Sequence, residues 1–303
     1  MIKSPRTSRF ATALAATCLL GLTACGSVSS SSDAFSVNGA GYTQDDFNKL
    51  SAALVDAGQF AAVNDKIKAA DAVVVLRTLI RYEAFLQFIE DNDVKILEAD
   101  KAEVLKNANA DDKFPTYPKE LQDVLVNFNI ADVTLKKIAP PAIDKVEKLY
   151  SDSPARAGVQ CLSHILVKTE AEAKTVLADL KSGTKFADVA AKKSIEPGAD
   201  KSGGSLANGT QPCQALANLQ TSFDKDFMIG SVAAKPGVPT GPVKSSFGYH
   251  IILSAPFADV KDSVATVIAE NPGATLLAGY MSKADIKVNS IYGVWNGATA
   301  TIS

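Results

Sequence analysis

The sequence predicts an α+β protein in which a mostly helical first half precedes a segment where strands and helices alternate. Three observations carry this reading. Apolar residues recur at helical spacing between residues 43 and 150. The character changes around Ser153 and Pro154, after which residues 161 to 167, CLSHILV, are β-rich. A second such run, FGYHIIL, lies at 247 to 253. With 303 residues the chain can bury two cores of ordinary size. Its 33 acidic and 31 basic residues nearly balance without a long block of either sign, so no nucleic-acid partner is expected. No apolar run reaches the roughly 18 to 20 residues of a membrane-spanning helix.

The N-terminus has the parts of an export signal: Lys3, Arg6 and Arg9, then a short apolar core from Phe10 to Leu22. The core ends in Leu22, Thr23, Ala24 and Cys25, which resembles the lipobox of bacterial lipoproteins. That resemblance implies cleavage after residue 24, acylation of Cys25 and a lipid anchor on the extracytoplasmic side of a bacterial membrane; the other reading is a plain secretory peptide. Serine-rich residues 27 to 32 predict a flexible tether over 25–35. Cys18 leaves with the signal, so Cys161 and Cys213 remain in a compartment where disulfides persist. A bridge between them is expected, two free thiols being the alternative. Without a CxxC or a histidine cluster, no metal is expected.

Along the folded part, Thr43 with Asp46 caps a helix whose apolar face is Phe47, Leu50 and Leu54. Residues 69 to 90 are apolar almost all round and predict a long buried helix. Helical patterns follow at 98–108 and 118–128, the latter with Pro118 in its first turn. Pro140 and Pro141 interrupt the chain before a helix from Ile143 to Tyr150. Residues 161 to 167, apolar on both faces, predict a central strand. Thr169 and Glu172 then form a capping box, Ala173, Val176, Leu177 and Leu180 make a buried stripe, and Gly183 ends the helix. A helix from Phe186 to Lys193, a Gly-rich loop at 197–204 and a closing strand at 247–253 complete the module. Beyond it, 260–269 and 274–284 read as helical and 285–295 as a strand.

Five motifs carry a resemblance to the parvulin family of prolyl isomerases: SHILVKTEAEA from Ser163, KFADVAAKKS at 185–194, GGSL at 203–206, KPG at 235–237 and GPVKSSFGYHII at 241–252. The whole arrangement is similar to PrsA-type and SurA-type extracytoplasmic foldases. The resemblance implies a parvulin domain over 157–257, inserted into a helical domain over 36–152 that residues 258–303 complete. It also implies that His164 and His250, the only histidines, form a hydrogen-bonded pair beneath the proline site. Taken singly, each would more often be a core residue. Ser245 stands where a threonine is common, and Glu196 where an aspartate or cysteine flanks the substrate amide. An ordinary solvated carboxylate is the other reading of Glu196. Phe223, Phe227 and Phe247 fall at substrate-binding positions, the first two fitting core roles equally well.

Ser205, Ala207 and Asn208 depart from the family pattern. No cofactor is implied, because rotation about an Xaa-Pro bond needs neither nucleophile nor metal. The expected partners are unfolded exported proteins carrying Xaa-Pro bonds, and the membrane through the lipid. A holdase that uses the fold only to bind chains, and a structural lipoprotein, are the rival functions.

Overall fold

The computed structural model describes residues 33–64 and 66–303. The signal segment 1–24, Cys25 and most of the tether lie outside these residues. The last tether positions, 33 to 35, are instead strand. They open β1 (Asp33–Val37), which pairs with β2 (Ala40–Thr43) and buries Ala34 and Phe35. Thr43 caps α1 (Gln44–Asp56) by accepting from the Asp46 N–H at 3.1 Å, and the Phe47, Leu50 and Leu54 face is buried. A small hairpin of β3 (Ala62–Val63) and β4 (Lys66–Ile67) precedes the long α2 (Ala69–Asp91). Leu76, Leu79, Ile80 and Phe85 of α2 are fully buried.

Next come α3 (Glu98–Ala108), α4 (Lys119–Lys136) and α5 (Ile143–Asp152). Two expectations for α4 fail. It runs two turns past residue 128, held by the buried Ile130, Ala131 and Leu135, and Pro118 sits outside the first turn as the N-cap residue.

The second module contains β5 (Val159–Gln160), β6 (Leu162–Val167), α6 (Glu170–Lys181), α7 (Phe186–Lys193) and α8 (Ala199–Ser202). It continues with β7 (Gln214–Ala215), α9 (Leu216–Ser222), α10 (Lys225–Ala233), β8 (Thr240–Lys244) and β9 (Tyr249–Ser254). The capping box at the start of α6 is complete, with the Thr169 hydroxyl accepting from Glu172 N–H and the Glu172 carboxylate accepting from Thr169 N–H.

The main sheet is antiparallel in the order β6-β9-β8, which corrects the placing of residues 161 to 167 at the centre. The closing strand β9 is central. The edge strand β6 is apolar on both faces because helices cover both, and its open edge is capped by a loop: His164 N–H donates to the Gly204 carbonyl at 2.8 Å, and Leu206 N–H donates to Leu162 at 2.9 Å. This approach requires glycine, since Gly204 has φ +82° and a Cβ there would stand 2.4 Å from the His164 oxygen. One face of the sheet buries Ile165, Val167 and Ile251 against α6 and α7; the other buries Leu162 and Ile252 against Leu216, Leu219, Phe227 and Met228.

After the sheet, α11 (Phe257–Glu270) and α12 (Pro272–Met281) lead to β10 (Ile286–Val288), β11 (Trp295–Asn296) and β12 (Thr301–Ile302). Residues 285 to 295 are therefore not one strand. β10 pairs with β1, placing Val288 opposite Phe35, and after a turn β11 pairs with β12. Leu277 and Met281 of α12 share a core with Phe47, Leu76 and Phe85. The α11 residues Val260, Val264 and Ile268 pack with Val146, Tyr150 and the Cys161–Cys213 disulfide. Among the described residues, no helix is long and apolar enough to cross a membrane.

Candidate functional site

Strand alternation places the two histidines on one face of the sheet. Leu166 stands opposite His250 and His164 opposite Ile252, so the imidazoles are diagonal neighbours across β6 and β9. Their rings stack 5.3 Å apart at 16°, with Nδ1 to Nδ1 at 3.1 Å. Both residues are buried, His164 at 5% and His250 at 4% exposure. Burial pushes the pKa of each down to about 4; for His250 the neighbouring His164 adds to the effect, while Asp224 and Glu196 oppose it. The pair is neutral at physiological pH.

The other side chains converge on this pair. Ser245 Oγ lies 2.7 Å from His250 Nε2 and accepts the Phe247 N–H at 3.1 Å. The Phe227 ring meets both imidazoles edge-on, at 5.6 Å and 5.1 Å, and Phe223 stacks on Phe227 at 5.2 Å. Glu196 sits beyond His164, with Oε2 3.6 Å from Nε2, too far for a hydrogen bond. That Nε2 is buried and has no hydrogen-bond partner. Phe247 stands apart, its side chain 68% exposed at the rim.

The tautomers are assigned from this pattern. Two neutral imidazoles joined through Nδ1 share one proton there. A carboxylate facing His164 Nε2 favours a proton on that atom, so His250 donates from Nδ1 and Ser245 donates to His250 Nε2. Every dipole in the chain from Ser245 to Glu196 then points the same way. Phe227 closes the apolar side, and the result is a buried polar pair walled by aromatic rings.

Sequence reasoning missed Asp224. One carboxylate oxygen caps α10 by accepting from Asp226 N–H at 2.9 Å and Phe227 N–H at 3.3 Å, and the other accepts the Ser246 hydroxyl at 3.0 Å. Partial desolvation raises its pKa, but these hydrogen bonds outweigh it and leave the carboxyl below its ordinary value. Asp224 thus fastens the helix that carries Phe227 to the turn that carries Ser245. An aspartate just ahead of an apolar helical run was the available signal.

Comparison with known proteins agrees with this geometry. The profile of the rotamase family, the PPIC-type PPIase domain, matches residues 164–255. The foldase protein PrsA of Clostridium kluyveri is 38% identical over 138 residues, covering 45% of this chain and 36% of that protein. Cbf2 of Campylobacter jejuni, whose name places it among the peptidyl-prolyl cis-trans isomerases, is 32% identical over 222 residues, 66% of this chain and 76% of its own length. The chain spans only 36% to 47% of the PrsA relatives from the two Clostridium species. Among solved structures, PrsA from Bacillus subtilis is 23% identical, with 82% of this chain and 91% of that one covered at a TM-score of 0.30. Fold and site define a parvulin-type module within a larger helical protein. The chain belongs to the PPIC-type peptidyl-prolyl isomerase family.

Proposed function

We propose that the protein is a peptidyl-prolyl cis-trans isomerase that speeds the folding of exported polypeptides. The carrying observation is the neutral, buried His164–His250 pair set edge-on against Phe227. Amide resonance holds the Xaa-Pro bond behind a barrier of roughly 18 to 20 kcal/mol. About 4 kcal/mol of transition-state stabilisation gives a thousand-fold acceleration. Phe223 and Phe227 grip the proline ring, while His164, His250, Ser245 and Glu196 line the amide. The twisted amide has lost part of its dipole, so a dry pocket penalises it less than the planar form.

A proline-limited refolding reaction tests this reading. The expected result is acceleration by the intact protein and its loss in Phe227→Ala. Unchanged refolding in the presence of the intact protein transfers the role to a holdase. One observation favours client holding as a second activity. A cleft of about 600 Å³ opens in the helical region, lined by Phe88, Val94, Leu97, Ile138 and Leu276 together with Lys95, Lys137 and Lys145. In this reading, residues 36–152 and 258–303 hold chains while 157–257 isomerise them, and Cys25 carries the lipid that fixes both activities outside the cytoplasmic membrane. Cys25→Ser should accumulate as unprocessed precursor; normal cleavage and membrane attachment in that variant rule the anchor out.

A further inference from the structure

We infer that the isomerase site selects prolines preceded by lysine or arginine. The inference rests on the proposed isomerase activity and names the substrate that the site would take. It starts from two carboxylates that face the histidine pair without a cation to neutralise them. The Glu196 side chain is 42% exposed, and its one ion-pair partner among the described residues is His164, which is buried and neutral. Asp224 is held by two backbone N–H groups and the Ser246 hydroxyl, all uncharged. Both carboxylates act on His250 through space. They approach the pair from different elements, Glu196 from the loop after α7 and Asp224 from the N-terminus of α10.

Among the described residues, no lysine or arginine forms an ion pair with Glu196 or Asp224, and several lysines of neighbouring elements are engaged elsewhere. Lys168 faces the Glu172 cap, Lys174 pairs with Glu170, and Lys193 with Asp179. Lys244 lies on the opposite face of the sheet, 6.0 Å over the Tyr249 ring. The rim of the site therefore carries two carboxylates that no lysine or arginine among the described residues pairs with. A cationic side chain beside the rotating amide, at the residue before proline, meets both; a glutamate or a phosphorylated serine there is repelled.

Exposed charge pairs are worth little individually, so the discrimination is modest. The expected kcat/KM order for peptides that differ only before the proline is Lys over Ala by about three-fold and Lys over Glu by about ten-fold at low salt. The ratios should shrink as ionic strength rises toward 0.5 M, the salt at which screening reaches about 4 Å. Glu196→Gln should bring the Lys to Glu ratio down to about three, and Glu196→Lys should invert it. Because each ratio is internal to one protein, a lower absolute rate in a variant does not blur the result. Where turnover is too slow, titrating the same peptides against the His250 imidazole NMR signals gives the ratio from binding. Equal rates for Lys-Pro and Glu-Pro peptides in the intact protein overturn the inference and leave the isomerase intact. No acceleration of any peptide overturns both.

Discussion

The β5 to β9 module and the helical region treat buried polar groups in different ways. In the module, His164, His250 and Ser245 are buried against one another and spend their hydrogen bonds inside the site. In the helical region the core is almost wholly apolar and aromatic, and the buried Asp100 answers to a lysine, Lys137. A buried polar network costs desolvation energy and stabilises only when its members stay aligned. The module holds that alignment with the Asp224 tie and a covered strand edge. The helical region instead draws on the chain end, since β10 and α12 close the sheet and core that β1 and α2 begin. Precision is concentrated in one region and bulk burial in the other.

The largest test of this contrast is to separate the regions. Residues 33–152 alone should lose cooperative urea unfolding, because Leu277, Met281 and the β10 pairing are gone. A protein in which a short Gly/Ser linker replaces 157–257 should keep it. Equal midpoints for the two would dissolve the distinction. Next in size is Phe227→Ala, which should cost about 3 to 5 kcal/mol in thermal or chemical unfolding of the module and abolish most isomerase activity. The same substitution at a core phenylalanine of α2, Phe85, should cost as much stability while sparing peptide turnover.

Replacing both Cys161 and Cys213 with alanine comes third. Their separation of 52 residues corresponds to at most about 4 kcal/mol in the chain-entropy treatment. The loss should appear in the module's transition. Lowered activity at full occupancy of the folded state would sharpen the contrast further, by showing that the bridge also aligns the site.

The smallest effect concerns pH. Both histidines have folded pKa values near 4, below the ordinary value of 6.5, so the unfolded chain binds protons first as pH falls. Stability is unaffected by the pair above pH 6.5, declines between 6.5 and 4, and levels off below 4. His250→Asn should flatten this window in urea titrations, and an unchanged slope would mean that other groups carry the acid sensitivity.

Much of this was legible in the chain because the deciding signals are local. The Thr169 and Glu172 capping box, the Phe47 stripe and the break at Pro140 each fix a nearby element through contacts within a few residues. The histidine pair was legible through family motifs, although the alternation that sets both rings on one face needed the register of β6 against β9. What escaped depends on distant partners. Residues 161 to 167 look like a central strand because burial, not strand order, sets their composition, and helices on both faces supply that burial while the loop around Gly204 satisfies the open edge. The extra turns of α4 are paid for by packing that no window around residue 130 contains. Asp224 escaped because Ser246, 22 residues away, donates to its second oxygen.

The pairing of β1 with β10 has a consequence for the protein's own birth. The Asn289 side chain donates to the Asp33 carbonyl across 256 residues. On a chain that emerges from its N-terminus, the β5 to β9 module is complete and can close its sheet while the first strand, already paired with β2, still waits for its second partner. Loop closure over that span is slow compared with local helix and hairpin formation. The β5 to β9 module can thus mature first, and the surrounding helices finish only when the last residues arrive.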